Sequence, residues 1–113
     1  MRKQMASCAI LMACAVLGFP DMARAQMSDQ AKAGREIAER FCARCHAIGL
    51  EGPSPHQSAP PFRQIVAKGH VESLEEALGE GIVVGHPDMP QFQFSPRNVG
   101  ELVAYLRSLS GKG

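Results

Sequence analysis

Cys42-Ala43-Arg44-Cys45-His46 places two thiols three positions apart, with an imidazole directly after the second. Cys-x-x-Cys followed at once by His is the spacing of covalent c-type haem attachment. Residues three apart share one face of a helical turn, so both sulfurs can reach the two vinyl groups along one porphyrin edge. His46 then stands beside the second anchor, where its ring can reach the iron. Other chemistries fit less well. A redox dithiol needs a strand leading into a helix, whereas the residues before Cys42 have a helical pattern. A structural zinc site needs four ligands, and no second Cys pair or His-x3-5-His completes one.

The compartment decides whether such thiols survive. Arg2 and Lys3 make a short positive start, Met5 to Phe19 form an apolar run, and Ala23-Arg24-Ala25 has the A-x-A form of a cleavage site. Residues 1–25 therefore read as an export signal and 26–113 as the mature domain, which is expected to be soluble and periplasmic. The run is shorter than the roughly 20 residues that span a bilayer. Leu11-Met12-Ala13-Cys14 offers a minor alternative, a lipid anchor through Cys14. The apolar run continues past Cys14, which favours treating Cys8 and Cys14 as small apolar residues of the signal.

Taking 25 from 113 residues leaves 88, one small domain with a modest core. Only Cys42 and Cys45 then remain, and in an oxidising compartment they would pair or be consumed in another covalent bond. Thioethers to haem are such a use, and a large apolar macrocycle would complete a core that so short a chain cannot build alone. Removing Arg2, Lys3 and Arg24 from the 12 basic residues, and Asp21 from the 11 acidic ones, leaves a net charge near −1. No basic patch argues for nucleic acid, and nothing suggests a membrane-surface helix.

Four helical segments must position the attachment site. Ser28 or Asp29 can cap a first helix running to Phe41. Gly34 costs that helix about 1 kcal/mol relative to alanine, so its use is to let a second helix cross closely. Ile37, Phe41 and Cys45 fall on its core face, with Glu36, Glu39, Arg40 and Arg44 on the solvated one and Glu36–Arg40 spaced for an i,i+4 pair. Gly49 to Pro60 is a loop, and Pro61 could open a short helix through Ala67 that Gly69 ends. Ser73-Leu74-Glu75-Glu76 matches a capping box starting a third helix, which ends near Gly79 or Gly81 with Leu74, Ala77 and Leu78 buried. Residues 85–94 are irregular. Ser95 caps, and Pro96 opens, a last helix reaching towards Gly111. Only residues 81–85 offer a candidate strand, and they read as a helix end or turn; the domain is expected to be all-α.

In this order Gly34, Cys42-x-x-Cys45-His46, Pro60-Pro61-Phe62, Met89-Pro90-x-Phe92 and Leu102-Val103-Ala104-Tyr105-Leu106 resemble a class I c-type cytochrome over nearly all of residues 29–110. The resemblance implies a cytochrome c fold, three to five short helices around one covalently bound haem c, with the first and last helices crossing. Carried over by position, His46 is the proximal ligand and Met89 the distal one. The residues support that choice, since the mature chain holds only Met27 and Met89, and Met27 falls in a terminus expected to fray. Pro60 matches the proline whose carbonyl accepts a hydrogen bond from the proximal imidazole, although neighbouring Pro61 could fill the role. Phe62, Ile65, Val83, Phe92, Phe94, Val99 and Leu102 are candidate walls of the crevice. His56, His70 and His86 are rival ligands, read as solvent-facing loop residues.

What the resemblance implies is a periplasmic one-electron carrier, not an enzyme, meeting donor and acceptor proteins transiently. One alternative is a haem c subunit of a larger dehydrogenase or oxidase, which co-purification would reveal. Another is a gas-binding haem protein with a labile Met89, which carbon monoxide binding would reveal.

Overall fold

The computed structural model describes residues 27–81 and 88–111. The expected export signal with Cys8 and Cys14, together with Val83 and His86, lies outside the described residues. Among the described residues there are four helices and no strand: α1 (Asp29–Phe41), α2 (Phe62–Ala67), α3 (Val71–Glu80) and α4 (Pro96–Ser108). The all-α expectation holds.

The boundaries follow from local chemistry. Ser28 accepts a hydrogen bond from the Ala31 amide and Ser95 one from the Asn98 amide, so each long helix starts on a serine that satisfies an otherwise orphaned donor. Pro96 takes the first position of α4, where its fixed φ suits the helix and its missing N–H is no loss. Pro61 stands one residue ahead of α2 rather than inside it. Gly81, with φ of 74°, closes α3 in the left-handed region as a C-terminal glycine does. Ser95→Ala is expected to cost about 1 kcal/mol. For a domain of this size that lowers the thermal midpoint by roughly 4–8 °C, measurable by circular dichroism.

α3 departs from the sequence expectation. It begins at Val71 with His70 at the N-cap and no capping side chain, so Ser73 lies within the first turn instead of capping it. Gly69, with φ of 72°, reverses the chain directly after α2, and the buried Val71 seats the helix against the core before Ser73 is reached. Tertiary burial thus overrides a local capping signal. Two smaller expectations also change. The i,i+4 pair on α1 is Arg35–Glu39 at 2.9 Å, not Glu36–Arg40. Met27 is half-buried against the core, with the Ser108 hydroxyl 3.8 Å from its sulfur, rather than frayed.

The most extensive helix contact is α1 against α4, with α3 and α2 also packed on α4. Gly34 makes the crossing possible: a Cβ there would fall on the Glu101 carbonyl and lie 2.9 Å from the Leu102 nitrogen. Ala38, Leu102, Val103, Tyr105 and Leu106 bury around this crossing, α4 contributing the stripe at helical spacing. Arg107 of α4 lies 3.7 Å from Glu72 and 3.9 Å from Glu75, exposed contacts that trim the α3–α4 edge and add little energy.

Candidate functional site

α1 ends at Phe41, and the chain turns straight into the two cysteines. The Cys42 and Ala43 amides both donate to the Ala38 carbonyl, and the Cys45 and His46 amides both donate to Cys42. This tight turn holds both thiols and the imidazole in the wall of a cleft of about 610 Å³, within the range of small-molecule sites. Cys42, Cys45, His46, Pro60 and Met89 all line it. The sequence-predicted site residues are therefore brought together from three separate stretches of chain.

The wall is mostly apolar. Of the seven wall candidates, Phe62, Ile65, Phe92, Phe94 and Leu102 line the cleft, Val99 is buried in the core away from it, and Val83 lies outside the described residues. Phe41, Leu74, Leu78 and Leu106 line it as well, and sequence reasoning did not single them out for this role. Apolar residues at helical spacing look alike whether they face core or cleft, so no signal separated them. Phe41, 43% exposed, is a wall residue rather than a core one.

His46 is 7% exposed, and its Nδ1 lies 2.7 Å from the Pro60 carbonyl oxygen. A carbonyl only accepts, so Nδ1 carries the proton and donates, which leaves Nε2 as the nitrogen able to bind a metal. The ring of Phe62 lies 5.5 Å away, tilted by 52°, and limits its swing. The Pro60 carbonyl, not that of Pro61, is the one that meets this ring.

The chain after His46 is fixed at three backbone polar groups. Ser54 Oγ accepts from the Ala47 amide at 3.0 Å, the Phe62 amide donates to the Ala47 carbonyl at 2.9 Å, and the buried Tyr105 hydroxyl donates to the Ile48 carbonyl at 2.7 Å. Sequence reasoning missed Ser54, whose bond lies inside an irregular loop, and this use of Tyr105, since contacts between residues 57 apart leave no local pattern.

Met89 is half-buried, lines the cleft and packs against the core cluster. Its segment is tied down on both sides. The Phe94 amide donates to the Leu78 carbonyl at 3.0 Å. Phe92 and Phe94 stack at 5.4 Å and meet Phe41 edge-on at 6.1 and 5.5 Å, arrangements that aromatic quadrupoles favour. The end of α1 that carries Cys42 is thereby joined to the segment that carries Met89.

Part of the lining is polar. Arg40, Arg44, His56, His70 and Asp88 also line the cleft, and His56 and His70 are loop residues, half-buried and exposed, as expected. His56 is tied on several sides: its amide donates to the Cys45 carbonyl, its Nδ1 accepts from the Ser58 amide at 3.2 Å, and its Nε2 lies 3.9 Å from Asp88. Because Nδ1 accepts, the neutral ring presents an N–H, not a lone pair, on the Asp88 side.

Burial, then the neighbouring Cys45, pushes the Cys42 thiol up to about 11, so it stays neutral at physiological pH. A thioether is also neutral and apolar, and it suits this environment where a thiolate would not. The cleft thus offers two thiols, a buried imidazole oriented by a carbonyl, a methionine thioether and a mostly apolar wall. That donor set fits a flat metallated macrocycle held covalently. Among the described residues no group of three or more His, Cys, Asp or Glu could hold a bare ion.

Residues 29–106 match the family described as cytochrome c oxidase, cbb3-type, subunit III. Among curated proteins the chain is similar to cytochrome c-552 of Bradyrhizobium diazoefficiens, 28% identical over 96 residues that cover 85% of this chain and 90% of that one. No solved structure matches it.

Proposed function

Since the chain belongs to that family, and so is a small monohaem c-type cytochrome with covalently bound haem c that carries electrons, we propose that it is a periplasmic carrier with His46 and Met89 as the two axial ligands. The observation that carries this reading is the hydrogen bond from His46 to Pro60, which puts the proton on Nδ1 and so the lone pair on the opposite imidazole nitrogen, in a residue that lines the same cleft as Met89. When bound, the haem supplies a one-electron couple. The protein supplies the rest. Cys42 and Cys45 would form the thioethers, the Pro60 carbonyl fixes the tautomer of His46 and would raise its basicity as a ligand, and the mostly apolar wall would keep water away. A soft sulfur ligand favours ferrous iron, raising the potential. Pro60 acts through His46 rather than on the iron.

The export signal at residues 1–25, cleaved before Gln26, would deliver the chain to the compartment where the thioethers form. No helix among the described residues is long and apolar enough to cross a membrane. The test is the intact mass and optical spectra of protein exported from cells equipped for haem attachment. A mass equal to residues 26–113 plus one haem, with the weak far-red band of sulfur on ferric iron, is expected. Cys42→Ala and Cys45→Ala should each remove most of the haem-bearing product, scored by haem staining against total protein. A colourless product of bare polypeptide mass would overturn the reading.

The description of the matched family as an oxidase subunit favours a second reading, in which this domain serves one larger complex permanently. Affinity capture of the haem-loaded protein distinguishes the two: stoichiometric co-purification of an oxidase marks a subunit, and a monomer in solution marks a carrier.

A further inference from the structure

We propose that Tyr105 and Ser54 are positioning residues for His46, clamping the two residues that follow it and so setting the plane in which its imidazole meets the iron. The inference rests on His46 being the proximal ligand.

A ring hydrogen-bonded through Nδ1 and flanked by Phe62 still tilts with its own backbone. The Pro60 carbonyl alone therefore does not fix the imidazole plane. What fixes it is the path of the chain on either side. Upstream, the turn from Cys42 holds the His46 amide. Downstream, the Ala47 amide is held by Ser54, the Ala47 carbonyl by the Phe62 amide and the Ile48 carbonyl by Tyr105. These partners come from the proline-rich loop, the start of α2 and the middle of α4, so each is anchored independently of the others.

The Tyr105 bond is the longest-range of these, spanning 57 positions, and Tyr105 is 4% exposed. Its carbonyl in turn accepts from the Ser108 hydroxyl at 2.6 Å. Burial raises the phenol above its ordinary range, which keeps it protonated and donating well into alkaline solution. A core filler would need only the ring, and phenylalanine supplies the same ring. Placing a hydroxyl in this core makes sense only through the Ile48 carbonyl it satisfies, since a buried polar group without a partner is costly. Ser54 holds the neighbouring Ala47 amide with a short, half-buried side chain that accepts its hydrogen bond.

The experiment uses the haem-loaded protein and the variants Tyr105→Phe and Ser54→Ala, with Ser95→Ala as a comparison that weakens α4 far from this clamp. The readout is the order and spread of the haem methyl resonances in proton spectra of the ferric form, which follow the orientation of the axial imidazole. The thermal midpoint is read alongside. The upfield methyl of the sulfur ligand in the ferrous form monitors the other axial position. Tyr105→Phe and Ser54→Ala are each expected to change the methyl pattern while leaving that upfield methyl in place. Ser95→Ala should melt earlier with the wild-type pattern intact. If both clamp variants melt earlier but keep the wild-type pattern, their role is structural only and the proposal is overturned. Should Tyr105→Phe fail to fold, the Ser54→Ala pattern decides alone by the same criterion. The wild-type spectrum is assigned first: axial imidazole resonances that do not belong to His46 would refute the ligand reading itself, a result distinct from a silent clamp.

Discussion

Gly34→Ala is expected to destabilise the domain by about 3 kcal/mol and to cut the yield of haem-loaded protein sharply. Taken alone, α1 would gain about 1 kcal/mol from the exchange, because alanine is the better helix former. The tertiary term has the opposite sign and is larger. The added methyl would overlap the backbone carbonyl of Glu101 and crowd the Leu102 nitrogen, and backbone atoms inside α4 cannot rotate aside as a flexible side chain can. Relief requires α1 and α4 to part, which loosens Ala38, Leu102 and Leu106 and shifts Cys42, at the end of α1, relative to the wall of the cleft. Set against a total stability of about 5–15 kcal/mol, that loss is large. Gly100→Ala in α4 is the internal comparison: its new methyl would lie 3.4 Å from the flexible end of Gln30, so the propensity gain should survive and the variant should match or exceed the wild type. Denaturant titration measures both. A Gly34→Ala protein as stable as Gly100→Ala would show that the helices do not cross where the structure puts them.

The same contrast explains what could be read from the chain before its structure. Signals that act within one turn, such as Ser28, Ser95 with Pro96, and the Cys42 to His46 spacing, were legible because their partners lie three or four residues away. Gly34 was legible for a different reason, since a residue that harms its own helix must serve something outside it. The start of α3 was misread because a capping box at Ser73 is a local preference, and the burial of Val71 outweighs it. Illegible altogether were features beyond one helical turn: the Ser54–Ala47 bond within an irregular loop, and, between distant stretches, the Tyr105–Ile48 bond and the aromatic contact of Phe41 with Phe92 and Phe94. Cleft walls fall between these cases. Phe92 and Phe94 stood out beside Met89 in an irregular stretch, whereas Leu74, Leu78 and Leu106 sat in ordinary helical stripes.

Met89→Ala is expected to lower the reduction potential by roughly 0.1–0.2 V, a modest part of the roughly 0.8 V over which axial ligands move haem proteins. It should also abolish the far-red band and let small external ligands bind. The sign follows from softness: a thioether stabilises ferrous iron more than ferric, so removing it stabilises the oxidised form. The size follows from substitution at one position with His46 retained. Folding should be little affected, because the segment keeps its other ties, the Phe94 amide to Leu78 and the stacked Phe92 and Phe94 on Phe41. A half-buried methionine that only filled the core would behave in the reverse way, losing about 2–5 kcal/mol of stability with an unchanged potential. Voltammetry and thermal melting on the same sample therefore separate ligand from filler. Since His56 and His70 both border the cleft, the ferric spectrum of Met89→Ala should be recorded from pH 5 to 8. A low-spin signal that vanishes on acidification would mark capture of the vacated position by another imidazole of the chain, His86 first among the candidates because it precedes Met89 closely in sequence, whereas a high-spin spectrum throughout would mark water. An unchanged potential with the far-red band intact would remove Met89 from the iron.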